Sequence, residues 1–337
     1  MKNRWVILLV RIVLSAGMLA VLFWRVPDFE VSELVPTWQA TSALWLVAAI
    51  ALTMLSIVLS AVRWQQVLHA LDLPSPLKPL VSYYFAGQFV SNVLPTTIGG
   101  DILRIARVSR DNGKRPESVA SVVLERLTGW LVLPVMSMVA FAINRNLLPE
   151  SGAATAAFLI NTLALAGLIG VLWLAAHQKI LGRFAENRNW LQFLGSVHLG
   201  VAHLRSHPTD ARKLIIAAFA FQGTLVMAAF CAARVVGIDE AGLTAMIAFI
   251  PVVLMVQVLP IGISGLGLRE TALVLFLSPL GVPHAQAIAL GLALYFLNLT
   301  ASLVGAPAFA FGGPKHRGAV AADGPDVEPG AEAVSAA

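Results

Sequence analysis

Long apolar runs joined by short charged connections make up the chain from residue 5 to residue 311. Runs of about 20 residues or more, the length that carries a helix across a bilayer, fall at 5–24, 41–62, 118–143, 153–176, 214–235 and 284–311. Two further apolar stretches, 77–94 and 241–280, are interrupted by proline and glycine and do not fit one straight span. The pattern predicts an all-α integral membrane protein with about six transmembrane helices and two segments of another kind, eight hydrophobic segments in all.

Composition removes the soluble alternative. Hydrophobic residues make up 58% of the 337 residues and charged ones 12%, against roughly 25% charged in an ordinary soluble domain. The charges also set an orientation, because basic connections stay on the cytoplasmic side. Most of the 23 lysines and arginines lie in four places: the N-terminus, Arg63 to Arg115, Lys179 to Lys213, and Lys315 with Arg317. These regions are expected in the cytoplasm, as are both termini of a protein of the bacterial inner membrane. Both flanks of 77–94 are then cytoplasmic, so this stretch is expected to enter, turn at 95–100 and return as a re-entrant hairpin. By the same reasoning 241–280 is a hairpin entering from the opposite face.

The two turns repeat each other. The first reads VLPTTIGGDILR over 93–104 and the second VLPIGISGLGLR over 258–269, with Pro95 and Pro260, Gly100 and Gly265, and Arg104 and Arg269 at one common offset. The order of two spans, a hairpin and a third span therefore occurs twice with inverted topology, about 1–143 and about 153–311, within one transmembrane domain of 1–311. Transporters are commonly built this way, with the substrate near the repeat interface.

The turns carry the candidate chemistry. Pro95 and Pro260 end the first half-helices by removing a donor, and Gly99, Gly262 and Gly267 let the backbone turn. From Gly100 and from Gly265, beside Ser264, new half-helices start with unpaired N–H groups that suit an anion, and Arg104 and Arg269 follow about one turn later. An arginine beside free N–H groups matches a phosphate-bearing headgroup. Asp101 and Glu270 are candidate counter-charges. Glu125 and Arg126 lie inside the third span, where charge usually faces the interior; Glu125 is expected to balance one of the hairpin arginines. Asn92, Gln257 and Asn298 are polar groups at membrane depth that serve either a cavity or helix association.

Other features change the picture less. Cys231, the single cysteine, reads as a packing residue. His177, His198, His203 and His207 lack the carboxylate or thiol pattern of a metal site, and Trp190, Leu191, Phe193, Leu194, Val197 and Leu204 read instead as an interfacial helix. No ATP-binding motif is present, and no cofactor or nucleic acid is expected. The tail 312–337, poor in large apolar side chains, is expected to be a disordered cytoplasmic segment.

NVLPTTIGGDILR, VLERLTGW and VLPIGISGLGLRE together resemble the lysylphosphatidylglycerol synthase transmembrane-region family. The resemblance spans nearly the whole chain except the tail, and implies the flippase half of a bifunctional flippase/synthetase without its soluble synthase domain. It implies a lipid flippase that handles an anionic phospholipid or a polyprenyl- or glycolipid-linked headgroup in a central cavity. Two other functions stay open from the residues alone: a membrane-embedded headgroup or glycosyl transferase using Asp101, Glu125 or Glu270 as base, and an accessory subunit of an envelope-lipid or glycan pathway with a protein partner.

Overall fold

The computed structural model describes residues 41–93, 99–147, 152–176, 204–259 and 265–311, together with 13, 17, 20 and 202. Most of the first apolar run, Pro95, Pro260, Gly262 and Ser264, the segment holding His177, His198 and His203 with most of the expected interfacial helix, and the tail lie outside the described residues. Among the described residues all regular structure is helical: α1 Ser42–Ala70, α2 Leu77–Val93, α3 Gly99–Asn112, α4 Arg115–Ile143, α5 Gly152–Ala176, α6 Pro208–Val235, α7 Leu243–Gln257, α8 Leu268–Leu277, α9 His284–Leu303 and α10 Gly305–Phe311. Among the described residues, five stretches are long and apolar enough to cross a membrane: Ser42–Ala70, Arg115–Ile143, Gly152–Val171, Pro208–Val235 and His284–Phe311.

The second apolar run extends further than its hydropathy predicts. α1 does not stop before Arg63 but continues to Ala70, so Arg63 is an interior residue and not the first of a cytoplasmic loop. Its buried stripe, Thr53, Ser56, Ser60, Arg63, Trp64 and Val67, recurs every three or four residues as a one-sided helix requires. The hydroxyls on it bond to the helix itself, Thr53 to the Ala49 carbonyl at 2.7 Å and Ser56 to the Thr53 carbonyl at 2.7 Å. Small residues on this face and on α6, among them Ala218, Ala228 and Ala232, let the two helices pack along their length.

The shorter helices come in pairs, α2 with α3 and α7 with α8. At one end of the molecule the α1–α2 and α3–α4 connections meet: Gln65 donates to the Ser75 carbonyl at 2.9 Å, and the Asn112 amide donates to the Ser75 hydroxyl at 3.4 Å. α4 crosses to the other end, where Asn144 donates to the Thr244 hydroxyl at 3.3 Å and Gln286 lies beside Gly237. The first pair therefore opens toward one end of the bundle and the second toward the opposite end.

Close backbone approaches hold the first pair in place. Gly100 of α3 sits against the Gly87 carbonyl and the Ser91 hydroxyl of α2, so any side chain there would overlap α2. Gly305 meets the Phe85 carbonyl in the same way, pressing the last helix onto the first pair. Arg107, buried on the Gly100–Arg104–Arg107–Val108 face of α3, donates to the Ala308 carbonyl at 3.0 Å. It thus ties α3 to the last turn of α10.

The remaining core joins α4, α7 and α8. Phe249 packs edge-on to Phe141 at 5.3 Å and stacks on Phe276 at 5.5 Å. Asn161 of α5 donates to Ser137 at 2.7 Å, and Ser137 donates to the Ala248 carbonyl at 2.6 Å, one turn before Pro251 interrupts α7. Cys231 is buried in this core.

Overpacking a tight core costs about 1–3 kcal/mol. Gly305→Ala should therefore lower the thermal midpoint of the detergent-purified protein, whereas Gly167→Ala, with open space around it, should leave it unchanged or raise it. Equal midpoints for the two variants would contradict the close α10–α2 contact.

Candidate functional site

The centre of the site is Glu125, ten residues into α4 and about 15 Å along the helix from Arg115 at 1.5 Å per residue. It is 1% exposed. A carboxylate at this depth needs paired charge and hydrogen bonds, and three helices supply them. Arg63 of α1 pairs with Oε1, Arg104 of α3 donates to Oε2 at 3.2 Å, and the Tyr84 hydroxyl of α2 donates to Oε1 at 3.1 Å. Arg104 is also fixed by Asp101 at 2.6 Å, and Asp101 in turn pairs with the half-exposed Arg126. Aromatic faces cover the guanidinium planes: Tyr84 at 4.2 Å and Trp64 at 5.0 Å from Arg104, and Phe221 at 4.5 Å from Arg63. Trp64 is itself held by an indole bond to Ser121 at 3.0 Å.

These groups line a cavity of about 230 Å³. Its walls come from both halves of the chain: Arg63, Gly100, Asp101, Arg104, Glu125 and Arg126 on one side, Gln222, Leu254, Gln257 and Val258 on the other. Gly129 supplies space, since a methyl on it would lie 2.9 Å from the Arg63 guanidinium. Arg63 Nε and Nη1 and Gln222 Oε1 are buried without a hydrogen-bond partner, although most buried polar atoms in folded proteins are paired.

The second arginine of the repeat sits elsewhere. Arg269 does not line this cavity; it lies 2.8 Å from Glu270 and faces the Tyr295 ring at 5.9 Å. Glu270 turns back to accept the Gly267 N–H at 2.6 Å, and Gly267, at φ 84°, is in the left-handed region that glycine allows. The N-terminus of α8, read from the sequence as an anion site, thus holds the chain's own carboxylate. Gly291 makes room for it, since a methyl there would approach Glu270 to 2.7 Å. Gly265, at φ 74°, packs against Gln257.

The structure brings Gly100, Asp101, Arg104, Glu125, Arg126 and Gln257 together around the cavity; Gly265 touches this group through Gln257, while Arg269, Gly267 and Glu270 do not line it. Gly99 opens α3. Asn92 and Asn298 form an interhelical link rather than cavity wall: Asn92 donates to the Asn298 carbonyl at 3.2 Å, and Asn298 donates to Leu294 at 2.9 Å. Sequence reasoning missed Arg63, Trp64, Tyr84, Phe221 and Gln222. The three-to-four-residue recurrence of Ser56, Ser60, Arg63 and Val67 carried the signal for Arg63, but hydropathy alone ends the apolar run at Val62.

Residues 8–305 match the family described as Lysylphosphatidylglycerol synthase TM region. That match and the apolar helices make the chain a multi-pass membrane protein of lipid metabolism or transport. No curated protein and no solved structure matches it.

Removing one member of a buried ion network costs about 3–5 kcal/mol, because the partner charge is left uncompensated. Glu125→Leu should destabilise the protein by this order in thermal unfolding, and adding Arg63→Leu should recover part of the loss. A double variant as unstable as the sum of the single ones would show that the two charges are not coupled.

Proposed function

The chain belongs to that family, and from this premise we propose that it is a lipid flippase of the bacterial inner membrane, carrying an anionic phospholipid or lipid-linked headgroup through the Arg63–Arg104–Glu125 cavity. In this reading α2–α3 and α7–α8 are re-entrant hairpins entering from opposite faces, with both termini cytoplasmic. The observation that carries the proposal is a cationic cluster, buried at the depth of a membrane span, lining a cavity walled by both halves of the chain. Such a cluster is expensive in an apolar medium, and Arg63 brings to it more N–H donors than Glu125 engages. The positions of the two helix pairs, opening at opposite ends, fit alternating exposure of one site to two leaflets.

Catalysis by a transferase fits the geometry less well. Asp101, Glu125 and Glu270 are all engaged by arginines, whereas a general base has to reach its substrate's proton. Without a nucleotide-binding motif in the sequence, directional transport draws on an ion gradient or on consumption of the lipid at one face.

Purified protein in vesicles carrying fluorescent phosphatidylglycerol should bring inner-leaflet lipid within reach of dithionite, and Arg104→Gln should slow this at least tenfold while the protein remains folded. Protein that moves no anionic or polyprenyl lipid would sink the proposal. The hairpin topology has its own check. In a Cys231→Ala background, cysteines placed at Asp72 and Gly113 should react with an impermeant maleimide from the same face, and a cysteine at Arg145 from the other. Reaction of the first two from opposite faces would mean that α2–α3 crosses the membrane.

A further inference from the structure

The charges around the cavity do not cancel. The fully buried trio is Arg63, Arg104 and Glu125, two cations and one anion, each 5% exposed or less at its side chain. The outer pair, Arg126 with Asp101, adds one charge of each sign. Among the described residues, counted with or without that pair, the lining carries one surplus positive charge. The surplus sits on a definite group, because Arg104 is matched by both Asp101 and Glu125, while among the described residues Arg63 has only Glu125 and leaves Nε and Nη1 without a hydrogen-bond partner at 4% exposure. A cation that no described residue compensates, in an apolar bundle, suits a counter-charge brought by a ligand.

We propose that the cavity selects its lipid by net charge: it takes a phosphodiester headgroup bearing a single negative charge, held by Arg63, and rejects headgroups that bring their own cation. The inference rests on the cavity being the headgroup site. One phosphodiester cancels the surplus. A zwitterionic headgroup leaves it in place, and a lysyl-bearing headgroup adds ammonium groups beside three guanidinium groups, where like charges repel strongly at low dielectric. A phosphomonoester or diphosphate overshoots in the other direction. This chain therefore disfavours the lysylated lipid from which its family takes its name, and Arg63 is the residue that sets the preference. The guanidinium suits this role because Nη1, which Glu125 does not engage, keeps its N–H donors for a phosphate oxygen, and Gly129 leaves the guanidinium the room it occupies.

The test is a binding titration of the full-length protein in detergent by microscale thermophoresis, with dioctanoyl forms of phosphatidylglycerol, phosphatidylethanolamine, lysylphosphatidylglycerol and phosphatidic acid, and with inorganic phosphate. Phosphatidylglycerol should bind at least tenfold more tightly than each of the other four. Arg63→Gln should abolish the preference over phosphatidylethanolamine, and Arg63→Lys, which keeps the charge, should retain it; circular dichroism and size exclusion establish that both variants are folded. Should Arg63→Gln fail to fold, Gln88→Arg, which adds a cation to the cavity wall, should move the preference toward phosphatidic acid. Lysylphosphatidylglycerol binding as tightly as phosphatidylglycerol overturns the proposal, as does an Arg63→Gln variant that weakens every lipid equally. Inorganic phosphate competing at the same concentration as phosphatidylglycerol would mean a site for the free ion, and also overturns it. The outcome is separable from transport: charge-selective binding without flipping would sink the flippase reading alone, and flipping without charge preference would sink this one alone.

Discussion

Much of the first half of the structure depends on the burial of Glu125 between two arginines. The carboxylate draws α1, α2 and α3 to α4, because Arg63, Tyr84 and Arg104 each reach it from a different helix. In water such contacts contribute little; at membrane depth the alternative to pairing is an isolated charge, which costs far more. The network therefore acts mainly as a geometric constraint. Four helices must keep their register for the charges to meet, and the aromatic rings of Tyr84, Trp64 and Phe221 restrict where the guanidinium groups go.

Glycine makes this convergence sterically feasible. At Gly100 and Gly305 backbones approach so closely that a single methyl would displace a helix, and at Gly129 and Gly291 the missing side chain is filled by a charged group from a neighbouring helix. Small residues thus serve helix contact in one place and charge burial in another, both consistent with a medium in which packing replaces the hydrophobic effect as the force between helices.

The repeat is carried unequally into chemistry. Arg104 and Arg269 share a motif position, yet Arg104 is shared with α4 through Glu125, while Arg269 is paired with the next residue in its own chain, Glu270. The second motif has consumed its helix start, with Gly267 N–H bound to Glu270, whereas the first turns its charge toward a cavity. A motif shared by two turns does not imply two equal binding sites; the identity of one following residue, glutamate after Arg269 and isoleucine after Arg104, separates them.

The amino-acid sequence by itself determined the membrane class, the apolar stretches that become α4, α5, α6 and α9, the break in 241–280, and the family, whereas 77–94, read as interrupted, forms one unbroken helix from Leu77 to Val93. These follow from run length, from proline and from glycine, all of which act locally on the backbone. It also pointed to Arg104, Asp101 and Glu125, because charge inside an apolar run is visible one residue at a time. Tertiary structure alone decided that Arg63 belongs with them and Arg269 does not. Arg63 sits where hydropathy falls, and its burial depends on α4 and α6 closing around the end of α1. The partner of a charge is chosen by distance between helices, and nothing in the spacing along one helix encodes which neighbour will stand within 4 Å of it.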